Sequence, residues 1–220
     1  NYNTAVGALS LDANTTASNN TAVGYQALTA NTTGEVNSAF GAASLYTNTT
    51  GYGNTAVGKN ALYTNNGNNN TAVGHEALEL NTTGESNVAV GRQALEANTT
   101  AAQNTAVGTN SMVTNTTGAN NTAVGMNSLF SNTTASNNTA VGYGSMENNT
   151  TGHSNVAVGY EVMKQNTTGS ENTALGYQAL DANTTAENNV AIGRLAGTGL
   201  TTGGLNTIVG AAAMQTNSTG

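Results

Sequence analysis

His75, Glu76 and Glu79 are the residues whose types and spacing come nearest to chemistry, because an imidazole beside carboxylates is common equipment for proton transfer. A catalytic site is a convergence of unlike groups in a pocket. These 220 residues hold only two histidines, and the other carboxylates are scattered. No stretch has the spacing of a zinc site, a phosphate loop or a calcium loop. Gly197-Thr-Gly-Leu-Thr-Thr-Gly-Gly204 is glycine-rich but lacks the lysine of a phosphate loop. Asn14, Asn31, Asn81 and Asn98 each open an Asn-Thr-Thr acceptor sequence for N-glycosylation. Each of these features has a plainer reading as one place in a repeat, so no catalytic residue, metal or cofactor is expected.

The repeat is set by the phrase Asn121-Thr-Ala-Val-Gly125. Its closing glycine returns at Gly7, Gly24, Gly41, Gly58, Gly74, Gly91, Gly108, Gly125, Gly142, Gly159, Gly176, Gly193 and Gly210, a spacing of 17 except for one step of 16 between Gly58 and Gly74. Residues 1–220 therefore read as a single array of thirteen units, a segment of a longer repetitive protein.

Four residues before each glycine stands asparagine without exception: Asn3, Asn20, Asn37, Asn54, Asn70, Asn87, Asn104, Asn121, Asn138, Asn155, Asn172, Asn189 and Asn206. Two before it stands alanine, except Ile208, and one before it an apolar residue, usually valine but also Phe40, Leu175 and Ile192. Three after it comes a small residue such as Ala27 or Ser44, with Val162 the bulkiest, and four after it leucine or methionine, as at Leu28, Leu129 and Met146, except Gly197. Seven after it runs a second asparagine column from Asn14 to Asn217, broken only by Leu200. Every ionisable Asp, Glu, Lys, Arg and His falls one, two, five, eleven or twelve residues after a glycine. Burying an unpaired charge is costly, so those five columns mark the solvent face, and Tyr25, Tyr143, Tyr160 and Tyr177 stand on it as candidate contact residues.

A pair of helices needs a longer unit, and Asn, Thr and Gly are poor helix formers. The pattern predicts an all-β fold: a parallel β-solenoid or β-roll of about thirteen 17-residue coils. Each coil is expected to hold one strand through Thr-Ala-Val-Gly, a second through the leucine column, and a turn at Asn-Thr-Thr-Gly. Thirteen coils at roughly 4.8 Å each would stack into a rod on the order of 60 Å long. Stacking places each asparagine on its copy, so an internal ladder of amides is expected in the column before the glycine, and a laddered asparagine has no room for sugar. Neighbouring strand residues face opposite ways, so of Ala123 and Val124 one lines the coil and the other is left for a partner chain.

The chain has 7% charged residues, no Pro, no Cys and no Trp, a biased composition whose fixed register argues for order. With a net charge of −7 and four basic residues, nucleic acid is not an expected partner. No apolar run reaches the roughly 20 residues of a membrane span. The absent initiator methionine leads to the expectation of a processed or excerpted chain.

Asn189-Val-Ala-Ile-Gly193, with Asn87-Val-Ala-Val-Gly91 and Asn155-Val-Ala-Val-Gly159, resembles the head repeat of trimeric autotransporter adhesins. The fuller phrase from Asn20 to Leu28 is similar to repeats of bacterial and phage tail-fibre-like surface proteins. The resemblance covers the whole chain and implies a left-handed parallel β-roll, three chains around one axis, and an exposed fibre at the cell surface or on a virion. The repeat here is a few residues longer than the adhesin's, and most copies have threonine where the adhesin has valine. The function expected is that of a structural or adhesive extracellular fibre that self-associates as a homotrimer, a head-to-tail filament or both, with a surface or carbohydrate ligand left open. The alternative is an ice-binding solenoid that uses aligned threonine columns. The register running from Gly220 into Asn1 adds the expectation of further coils at both ends.

Overall fold

The computed structural model describes residues 2–216, 218 and 219, so the second-column Asn217 and the register read across Asn1 and Gly220 lie outside the described residues. The chain divides into two compact units, Asn1–Thr109 and Asn110–Gly220. The first carries β1 (Thr4–Val6), β2 (Thr21–Val23), β3 (Ser38–Phe40), β4 (Thr55–Val57), β5 (Thr71–Val73), β6 (Val88–Val90) and β7 (Thr105–Val107). The second carries β8 (Thr122–Val124), β9 (Thr139–Val141), β10 (Val156–Val158), β11 (Thr173–Leu175), β12 (Val190–Ile192) and β13 (Thr207–Val209). Within each unit successive strands pair parallel and in register, Ala22 on Ala39 and Ala157 on Ala174, so each unit is a parallel β-solenoid. No helix occurs among the described residues, and none is available to cross a membrane.

The strands are three residues long because the motif glycine ends them. Gly24 has φ +140°, and a Cβ there would lie 2.5 Å from the carbonyl oxygen of Gly41. Both the backbone angle and the close stacking demand glycine.

The expected second strand is absent among the described residues. The leucine column lies instead in a turn whose alternate residues have positive φ, 57° at Gln26 and 51° at Leu28 in the first unit, 50° at both Glu161 and Met163 in the second. A left-handed residue costs an L-amino acid roughly 1–2 kcal/mol, yet the turn keeps its coil-to-coil bonds. Gln26 N–H donates back to Ala8 O at 3.0 Å, and Leu28 N–H donates forward to Ser44 O at 3.0 Å. Hydrophobic periodicity marks Leu28 as interior without revealing the backbone that takes it there.

The strand's middle alanine faces inward and is fully buried, as at Ala22, Ala56, Ala140 and Ala174, while its neighbours face outward. Leu28, Leu45, Leu62, Leu78 and Leu95 fill the first unit, and Met112, Leu129, Met146, Met163 and Leu180 the second. Two asparagines per coil share this interior. The ionisable side chains are exposed or half-buried, as the cost of burying charge requires.

Two coils depart from the pattern with local compensation. The 16-residue coil replaces Asn-Thr-Thr-Gly by Asn65-Asn66-Gly67. Elsewhere Thr32 N–H and Thr33 N–H donate to the backbone carbonyl of Thr49, at 3.0 and 3.1 Å. In the short coil the side-chain Oδ1 of Asn66 does that job, accepting from Thr49 N–H at 2.8 Å and Thr50 N–H at 3.3 Å. In the glycine-rich passage Gly197 stands where other coils have leucine or methionine, and a Cβ there would come within 2.8 Å of Leu180 and 3.0 Å of Ile208. Ile208, larger than the alanine normal at its place, is buried there and closes on Gly197 together with Leu180.

Candidate functional site: amide ladders and exposed faces

The asparagines before the glycine are held from both ends of the amide. Asn20 Oδ1 accepts the backbone N–H of Asn37 at 2.9 Å, and its Nδ2 donates to the carbonyl of Gly34 at 2.9 Å. Asn37 and Asn54 repeat this in the first unit, and Asn138, Asn155 and Asn172 in the second. Asn20, Asn37, Asn54, Asn70, Asn87, Asn104, Asn121, Asn138, Asn155, Asn172 and Asn189 are buried; Asn3 and Asn206 are half-buried. The partners are mainly backbone groups. The expected amide-on-amide ladder occurs here only as an added bond, such as Asn87 Nδ2 to Asn70 Oδ1 at 3.2 Å.

The continuous amide-on-amide ladder is in the second column. Asn48 Nδ2 donates to Asn31 Oδ1 at 3.1 Å, Asn81 to Asn65 at 2.7 Å and Asn98 to Asn81 at 2.8 Å. In the second unit Asn132 donates to Asn115 at 2.8 Å and Asn166 to Asn149 at 2.8 Å. The two ladders meet at one atom: Gly34 O accepts from Asn20 at 2.9 Å and from Asn31 at 3.0 Å, which uses both lone pairs of the carbonyl. Asn31, Asn81 and Asn98 are buried, so the sequons there have no room for a glycan, while Asn14 is half-buried. Leu200 breaks the ladder, and Asn183 Oδ1 turns to the N–H of Ala186 in its own coil at 3.1 Å.

On the surface of the first unit, Glu76, Glu79 and Glu96 bring carboxylate oxygens within 4.8 Å of one another. Glu96 was not singled out from the sequence, although it stands 17 residues after Glu79 in the same column. Asn60 Nδ2 donates to Glu79 at 3.3 Å, Gln93 Nε2 donates to Glu76 at 3.1 Å, and His75 Nδ1 lies 3.2 Å from Glu76. Burial first and the Glu76 charge second push the Glu79 carboxyl above its usual range; burial, then Glu76 and Glu79, do the same to Glu96. Oxygen ligands of this kind suit a hard cation. In the second unit Lys164 lies 2.7 Å from Glu161 and 3.4 Å from Glu147. The Glu161 hydrogen bond is the main cause that pushes the amine up to about 12.

The tyrosine column splits. Tyr143 and Tyr160 stack at 5.3 Å, Tyr160 and Tyr177 at 5.3 Å, and the Arg194 guanidinium sits 5.9 Å from the Tyr177 ring centre. Stacking covers the ring faces and leaves edges and hydroxyls to a ligand. Tyr25 belongs to the first unit and has no ring partner among the described residues. That unit has its own stack, Tyr46 on Tyr63 at 5.0 Å, in the same column as Glu79. Its signal in the sequence is that both tyrosines stand five residues after a glycine. No family model matches the chain, and neither does any curated protein or solved structure.

Proposed function

We propose that this chain acts through shape and surface, as a repetitive segment of an extracellular fibre with adhesive contacts, and that it carries no catalytic chemistry. Copies pack through the outward strand face, three around an axis on the adhesin resemblance. One observation carries the reading: that face carries an apolar row, uncovered in register. Phe40 is 40% and Val57 38% exposed in the first unit, Leu175 46% and Ile192 39% in the second. Their columns contain no ionisable residue in any repeat. An apolar row rimmed by polar residues is the kind of surface that association removes from water, at about 25 cal/mol per Å².

The Tyr143–Tyr160–Tyr177 edge is the candidate contact for a surface or carbohydrate ligand. Ice binding is less well supported, because the inner threonine hydroxyls are already used. Thr32 Oγ1 donates to Thr49 O at 3.1 Å and Thr150 Oγ1 to Thr167 O at 3.0 Å. Of that adjacent pair this leaves the file of Thr33, Thr50 and their copies exposed, while the outward strand threonines such as Thr173 stand in a separate column. Sedimentation equilibrium tests the proposal. Trimers or larger oligomers are expected from the native chain, and monomers from the double variant Val57→Asp, Ile192→Asp with its β-structure retained. A native chain that stays monomeric at high concentration overturns the assembly, and thermal hysteresis would restore the ice-binding reading.

A further inference from the structure

We propose that Asn66 is a site of spontaneous covalent modification, at which the Gly67 backbone nitrogen expels the side-chain amide and water converts the product to aspartyl and isoaspartyl forms. Asn66-Gly67 is the one Asn-Gly step in the chain, and it exists because this coil lost a residue. Three features of the fold favour the reaction there.

The nucleophile is unengaged. Gly34, Gly84, Gly152 and Gly169 occupy the matching place in other coils, and each donates its N–H to a threonine carbonyl of the next coil at 3.3–3.4 Å. Gly67 N–H donates to no acceptor among the described residues. The electrophile is polarised: Asn66 Oδ1 accepts from Thr49 N–H at 2.8 Å, Thr49 Oγ1 at 2.8 Å and Thr50 N–H at 3.3 Å. Attack at Cγ places negative charge on that oxygen, so donors already aimed at it stabilise the tetrahedral intermediate as an oxyanion hole does. The leaving group is free to depart, since Asn66 is exposed and its Nδ2 has no partner among the described residues. Asn37-Ser38 shows the opposite arrangement. Asn37 is buried with both ends of its amide bonded, and Ser38 N–H is held by Asn54 O at 2.8 Å.

In the first step the Gly67 N–Asn66 Cγ bond forms, the Cγ–Nδ2 bond breaks, and the proton from Gly67 N leaves with Nδ2 as ammonia. Water then adds to the cyclic imide. Cleavage of N–Cγ returns an aspartyl residue in the ordinary main chain; cleavage of the bond from N to the Asn66 carbonyl carbon gives isoaspartyl, with the main chain running through Cβ and Cγ. Gly67 O accepts from Asn54 at 2.9 Å and Asn65 at 2.8 Å, so the isoaspartyl form disturbs the point where both ladders meet.

The test incubates the folded full chain in mildly alkaline buffer and follows ammonia loss by peptide mapping, with isoaspartyl-specific methyl labelling. Loss is expected at position 66 before any other asparagine, at a rate at least equal to that of the urea-denatured chain. It should be abolished in Asn66→Gln, whose longer side chain would need a six-membered ring, and slowed several-fold in Thr49→Val, which removes one donor. An intact position 66 in folded protein while the denatured chain reacts, or earlier loss elsewhere, overturns the proposal.

Discussion

An asparagine side chain carries one acceptor and one donor group on a short stem, and this chain uses both at nearly every interior copy. Asn54 Nδ2 donates to Gly67 O at 2.9 Å while its Oδ1 accepts from Asn70 N–H at 2.9 Å, all out of water. Asn54→Ala leaves the buried Asn70 N–H without its acceptor and takes from Gly67 O one of its two donors, and is expected to cost about 1–3 kcal/mol, measured by urea unfolding. The acidic cluster behaves in the opposite sense. Glu96 is raised above its ordinary 4.5 by burial and by Glu76 and Glu79. Between that ordinary value and the raised one the native state binds more protons than the unfolded chain, so the group's share of stability is present in acid and is lost as pH rises. Glu96→Gln should therefore raise the melting temperature at neutral pH and leave it unchanged below the ordinary carboxyl range. The carboxyl is partly solvated, so the gain is small. An unchanged neutral melting temperature would remove Glu96 from this account.

At the scale of one coil, the strand is only three residues long, and the turn after it does much of the stacking. That turn makes opposite demands on neighbouring positions. Gly24→Ala would place a Cβ against Gly41 O in a backbone region closed to L-residues and should cost more than about 2 kcal/mol. Ala43, two residues after Gly41, holds φ 55°. Ala43→Gly relieves that strain and should raise stability by up to about 1 kcal/mol, even though glycine is the more flexible residue in the unfolded chain. Thermal unfolding of the two variants reads both signs. Destabilisation by Ala43→Gly would show that the left-handed backbone at position 43 carries no strain that glycine relieves.

Across the whole molecule the repeated amide network outweighs charge. Three ion pairs occur among the described residues, all on partly exposed side chains, against amide bonds repeated coil after coil. Exposed pairs contribute little, so raising salt to molar concentration should move the melting temperature by no more than about 2 °C. In a solenoid each coil answers to its neighbours. Asn37→Ala lies in the first unit and Asn155→Ala in the second, and their costs should add to within about 0.5 kcal/mol. A marked departure from additivity in the double variant would point to coupling beyond nearest neighbours.

The sequence alone determined the period, the buried columns and the solvent face, because each is a fixed place in a repeat and repetition turns one residue's preference into a column. The all-β parallel solenoid followed from that, since no helical unit is so short and so rich in Asn, Thr and Gly. Tertiary structure decided what periodicity does not encode. Leu28 is interior by pattern, but only coil-to-coil bonding reveals a left-handed turn in place of a strand. Alanine rather than valine lines the strand's inner side, because the narrow coil already holds a leucine or methionine and two asparagines, which leaves little room beyond a methyl group. Asn31 and Asn20 are the same residue type in equally regular columns, yet the next coil offers a side-chain amide to Asn31 Oδ1 and a backbone N–H to Asn20 Oδ1, which makes one a side-chain ladder and the other a backbone clasp. The missing residue at Asn65-Asn66-Gly67 was visible as a count of 16. That a side-chain oxygen would replace the lost carbonyl was not, because it depends on where the next coil's amides point.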